Sequence, residues 1–204
     1  MAGCECEIEI KDRSQRKVLI VLLFINAVMF LVEIGVGLIS ESTALIADSI
    51  DMLADAMVYG IGLYAVARAP LIKVRAARWS GMFQILLGVG VGADIVRRLV
   101  TGSGPVSLLM IGVGLAALVA NVICLALIAK HRSGEVHMRA SWIFSKNDVI
   151  ANVGIIAAGI LVYFLESNLP DLIIGAAIVA IVVRGGMHII READSEQKLL
   201  NYSP

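Results

Sequence analysis

Three aspartates, Asp48, Asp51 and Asp55, stand in the run ADSIDMLADA, within a stretch otherwise almost free of charge. Spacings of three and four, at a rise of about 1.5 Å per residue, put all three carboxylates on one face of a helix. Stacked carboxylates repel one another and keep their protons unless a cation compensates them, and this segment offers no basic residue until Arg68. Hard oxygen ligands without a side-chain counter-charge suit a divalent cation, and suit protons once that cation leaves. That is the composition of an exchange site. A second polar run, SKNDVIANVG, puts Asp148 and Asn152 one turn apart on a shared face. If the two helices run antiparallel, Asp55 and Asn152 lie near equal depth, with Asp51 and Asp148 about a turn to either side. The expected cage is Asp51, Asp55 and Asp148, with Asn152 as candidate fourth ligand and Asp48 and Asn147 in reserve. Lys146 either snorkels toward water or neutralises Asp148. The competing account is purely structural: a polar stripe lining a wet cavity, or neutral acids hydrogen-bonded between helices.

The other polar groups signal less. Asp94 lies four residues before Arg98, which reads as an ion pair at a helix end. Asn26 and Glu33 are seven apart, so they share a face and either line a permeation path or bond across helices. Gln84 and Asn121 read as interhelical glue, and His188 as an interfacial residue. Cys4 and Cys6 among glutamates, and His131 and His137 around a loop, are weak candidates for collecting metal at a membrane mouth. Three cysteines make no disulfide framework.

These residues need helices to hold them, and the composition says where those helices sit. Of 204 residues, 59% are hydrophobic and 17% charged, with a mean hydropathy of +0.88; a soluble domain runs nearer half apolar and a quarter charged. Apolar runs bounded by charges predict six transmembrane helices at about 17 to 40, 43 to 67, 77 to 98, 105 to 130, 139 to 165 and 170 to 190. The expected organisation is an N-terminal tail over 1–16, a six-helix transport domain over 17–191 and a short tail over 192–204. The 17 basic and 17 acidic residues cancel, so net charge points to no nucleic-acid partner. Their placement is uneven: fourteen basic residues fall on the side of the termini and two, Arg97 and Arg98, on the other. The positive-inside rule then puts both termini in the cytoplasm. Six acids, Glu33, Asp48, Asp51, Asp55, Asp94 and Asp148, fall inside the helices, where each costs at least about 2.5 to 3.5 kcal/mol near a helix centre. Small residues crowd 88 to 94, 112 to 120 and 154 to 159, surfaces that allow close packing and sliding.

The segments SESTALIADSIDMLADAMVYG and SKNDVIANVGII resemble the helix-two and helix-five signatures of the cation diffusion facilitator family, and the Pro170–Asp171 pair opening helix six is similar too. The resemblance covers nearly the whole chain. It implies an all-α membrane domain of six helices with both termini cytoplasmic, set in the plasma (inner) membrane in contact with lipid. It also implies proton-coupled efflux of zinc or a similar divalent metal, with metal as cargo rather than cofactor, and a homodimer. Asp51, Asp55 and Asp148 fall on three of the family's four metal ligands; the fourth position holds Phe144, which cannot coordinate. Asn152, Asn147, Asp48 or water would complete the shell. An oxygen-rich shell shifts the expected cargo somewhat from zinc toward manganese, iron, cobalt or cadmium. The family's C-terminal metal-binding domain has no counterpart after Arg191, so dimerisation falls to the transmembrane helices.

Two rival classes frame this reading. The aspartate run also resembles the first motif of membrane prenyltransferases, which hold Mg²⁺ and a pyrophosphate, but a second carboxylate motif is missing. A non-transporting metal sensor or assembly partner would use the same acids for stability.

Overall fold

A computed structural model describes residues 3–65, 70–129 and 136–202. Six helices follow in order: α1 (Gly3–Ile39), α2 (Thr43–Ala65), α3 (Pro70–Thr101), α4 (Ser107–Ala129), α5 (Val136–Leu165) and α6 (Leu169–Tyr202). Five carry apolar spans long enough to cross a bilayer, over Arg16–Ile39, Ala77–Thr101, Ser107–Ala129, Lys146–Leu165 and Leu169–Ser195. Their lipid-facing positions include Leu31, Leu86, Leu108, Ile150 and Ile173, all exposed. Such a belt would be a liability in water and is natural against hydrocarbon. The sixth helix, α2, is the acidic one, and among its described residues no large hydrophobic side chain is exposed. The chain is a multi-pass integral membrane protein in which α2 is walled in by its neighbours.

The strongest pairings are α1 with α2, α3 with α6 and α4 with α5, and α2 also packs on α3, α6 and α5. The main apolar core joins Leu45, Ile46 and Ile50 of α2 to Val91, Met110, Ile155 and Ile178. Glycine brings two backbones together where α3 crosses α6: a Cβ on Gly186 would stand 2.8 Å from the Gly81 carbonyl oxygen.

The three short turns meet at one end of the bundle. α1, α3 and α5 all stop there at a residue in the left-handed region, Glu41 (φ 53°), Gly102 (φ 79°) and Glu166 (φ 49°), a conformation that ends a helix and turns its last carbonyls inward. The turns are then tied together. Val106 N donates to Ser40 O at 2.9 Å, Gly104 N to Glu41 Oε2 at 3.0 Å, and Asn168 Nδ2 to Ser103 Oγ at 3.0 Å. Arg98 donates to the Glu41 carbonyl while its Nε bonds Asp94. Asp171, fully buried, completes the knot by accepting from Ser42 Oγ (2.7 Å), Thr43 N (2.7 Å) and Ala44 N (3.0 Å). A carboxylate from α6 thus caps the N-terminus of α2, where free N–H groups and the helix dipole both favour an anion. The first described residues of α1 and the last of α6 lie at the opposite end.

Candidate metal pathway in the helical bundle

Because α2 is enclosed, its three aspartates face protein rather than lipid. Two of them, Asp51 and Asp55, line a cavity of about 280 Å³ together with Asn147 and Asp148 of α5, Gln84 of α3, and Arg184 and His188 of α6. The cavity lies in the half of the bundle away from the knotted turns. Asp148, from α5, lines the same wall as Asp51 and Asp55, and Tyr59 Oη donates to Asp55 Oδ2 at 3.0 Å. Lys146 and Asn147 are exposed, and of the two only Asn147 lines the cavity.

The six expected ligands therefore divide into two groups. Asp51, Asp55, Asn147 and Asp148 share the cavity wall. Asp48 and Asn152 lie behind it in a fully buried relay: Asn121 Nδ2 donates to Asn152 Oδ1 (3.1 Å), and Asn152 Nδ2 donates to Asp48 Oδ2 (2.7 Å). The level of the two helices also differs from the sequence expectation. Asn152 is level with Asp48 rather than Asp55, because counting from loop ends treats the helices as parallel rods, whereas α2 and α5 touch only briefly as they cross. Among the described residues, no three His, Cys, Asp or Glu side chains are gathered tightly enough to hold a metal ion as they stand. Asp51, Asp55 and Asp148 share a chamber without converging on one point.

Several other expectations can be placed. Asp94 pairs with Arg98, and Arg97 joins them with Nη2 at 2.6 Å from Asp94 Oδ1. Asn121 bonds across helices as expected, while Asn26 turns its nitrogen to its own helix, at Leu22 O (2.9 Å). Glu33 faces Asp48. The α6 wall of Arg184 and His188 was not legible as part of the site in the sequence, where His188 reads as interfacial and Gln84 as interhelical glue. The available signal was the 184–188 spacing, which puts both on one helical face. His188 Nε2 also stands 3.2 Å from Glu192 Oε1 one turn on. His131 lies outside the described residues, as do the side chains of Cys4, Cys6, His137 and Phe144.

Comparison with known proteins agrees with this architecture. Residues 19–196 match the cation efflux transmembrane domain. The chain is 26% identical over 199 residues to the zinc transporter ZitB of Pectobacterium atrosepticum, covering 91% of this chain and 62% of that protein. It is 33% identical over 136 residues to the vacuolar zinc transporter ZRC1 of Saccharomyces cerevisiae, covering 58% and 30%. It is 23% identical over 198 residues to a cadmium, cobalt and zinc/H⁺-K⁺ antiporter of Bacillus velezensis, covering 88% and 62%. The chain thus spans at most about three-fifths of these relatives. With the family domain matched over residues 19–196 and the acidic α2 enclosed within six helices, the chain belongs to the cation diffusion facilitator family.

Proposed function

We propose that this protein exports a divalent transition-metal ion, zinc or a chemically similar cation, from the cytoplasm in exchange for protons. The observation that carries the reading is the placement of Asp51, Asp55 and Asp148, from two helices, on the wall of one cavity at the end opposite the knotted turns. An ion reaching that chamber meets three carboxylates with oxygen donors from Asn147 and Gln84 nearby. Such a set would replace part of its hydration shell. Closing the chamber around the ion and opening the knotted end would complete alternating access. Protons returning on the same carboxylates would neutralise them once the metal leaves. The relatives named above are zinc transporters and an antiporter, which supports metal as cargo and protons as counter-ion. A homodimer formed through transmembrane helices in the plasma membrane fits the same reading.

The test is Zn²⁺ flux into or out of proteoliposomes under an imposed pH gradient. The wild-type chain is expected to move Zn²⁺, and Asp51→Ala, Asp55→Ala and Asp148→Ala each to reduce the flux to the protein-free level. Undiminished flux in all three variants would sink the assignment.

A further inference from the structure

Three residues on the chamber wall, Asn147, Arg184 and His188, are exposed, and they mark its mouth. Among the described residues, His188 supplies the one imidazole on that wall. One turn further along α6, toward the end opposite the knotted turns, Glu192 sets its Oε1 3.2 Å from His188 Nε2, with the two side chains 62% and 69% exposed. A pair so exposed adds at most about 1 kcal/mol to stability, so it does little to hold the fold. The helix changes character at the same point: beyond its apolar run come Arg191, Glu192, Asp194 and Lys198. His188 and Glu192 therefore stand where α6 leaves hydrocarbon and meets water, within reach of a cation arriving at the chamber.

The separation of the two donors is close to that of two ligands on one metal. A tetrahedral zinc ion with nitrogen at about 2.0–2.1 Å and oxygen at about 2.0–2.2 Å holds those atoms about 3.3–3.5 Å apart. Spacing of four residues puts both donors on one helical face, the arrangement by which a single helix offers two ligands to zinc. Imidazole nitrogen beside carboxylate oxygen suits a borderline divalent ion, whereas Mg²⁺ and Ca²⁺ favour oxygen alone. Arg184, one turn deeper on the same face and also on the wall, repels a cation moving further along α6. The onward step is then across the chamber, to the carboxylates of α2 and α5. We infer that His188 and Glu192 form a capture site for the transported metal at the mouth of the chamber, holding it through imidazole nitrogen and carboxylate oxygen before it passes to Asp51, Asp55 and Asp148. This rests on the export function proposed above and names the residues that first strip water from its cargo.

Metal flux in proteoliposomes and Zn²⁺ binding by calorimetry in detergent, both on the full chain, test it together. His188→Gln and Glu192→Gln are each expected to raise the KM for Zn²⁺ flux about tenfold while maximal flux stays at the wild-type level. For Mn²⁺, which gains less from imidazole, the KM of His188→Gln is expected to change less than for Zn²⁺, a difference that loss of a helix ion pair would not produce. Added to a chain whose three chamber aspartates are alanine, His188→Gln is expected to lower the Zn²⁺ stoichiometry by one. Wild-type KM in both single variants, or a fall in maximal flux at wild-type KM, would overturn the capture site and leave a surface ion pair, with the export function intact. Unchanged stoichiometry in the chamber-deleted chain, or equal KM changes for Zn²⁺ and Mn²⁺, would overturn coordination by His188. A wild-type chain that moves no Zn²⁺ would overturn the export function, and the capture role with it. Matched thermal unfolding of the variants separates loss of fold from each outcome.

Discussion

Asp171 shows how much one carboxylate can do when its partners come from another helix. Both of its oxygens are occupied, by Ser42 Oγ and two backbone N–H groups at the start of α2, and Ser42 Oγ itself accepts from Leu45 N at 3.2 Å. Asp171→Ala would strand two buried N–H groups at a helix N-terminus and lose a capping charge. We expect a loss of about 2–4 kcal/mol, read as a lower unfolding temperature in detergent, with Asp171→Asn intermediate. At this scale the sequence showed which residues bear chemistry. Asp48, Asp51, Asp55 and Asp148 stand out because a charge in an apolar run is expensive. It did not show which acid faces which neighbour. The pairing of Asn152 with Asp48, and of Glu33 with Asp48, depends on where helices cross, and no spacing along one helix encodes that.

At the scale of the elements, the six apolar runs were legible, and the cores of the predicted helices match α1 to α6. The ends were not. α1 extends back to Gly3, α3 to Pro70, and α6 forward to Tyr202, because polar helical turns continue past the apolar span and leave no hydropathy signal. The small-residue stretches were legible only as a group. Within them, Gly88 and Gly159 meet neighbours, since an added Cβ would lie 2.8 Å from Val183 Cγ2 and 2.9 Å from Ile111 Cγ1, whereas Gly90 and Gly112 have nothing within 4 Å. The tightest backbone approach, Gly81 on Gly186, falls outside those stretches. Gly186→Ala is therefore expected to push α3 and α6 apart and destabilise by about 1–3 kcal/mol. Gly90→Ala is expected to be neutral or to stabilise by up to about 1 kcal/mol through helix propensity. Thermal unfolding of the two variants, side by side in detergent, checks the contrast.

For the whole molecule, the division of labour between the two ends matters most. One end is tied by Asp171, Arg98 and the turn hydrogen bonds; the other holds the chamber. A carrier of this kind would have to rearrange the knotted end to release its cargo, and the polar ties there are bonds that can be exchanged for water. The enclosure of α2 has a further consequence for how the protein is made. Three aspartates add about 8–10 kcal/mol to the cost of placing this helix in lipid on its own, and its apolar residues offset only part of that. As the chain emerges from the ribosome, α2 cannot partition into the bilayer by its own hydrophobicity. It has to be held by α1 or by the translocation machinery until α3 and α6 surround it. A chain truncated after Ala65 and carrying a glycosylation acceptor beyond it is expected to leave α2 uninserted in microsomes, while the full chain inserts it. Efficient insertion of the truncated α2 would contradict this. The acids on which the proposed transport depends would then also set the order in which the membrane domain assembles.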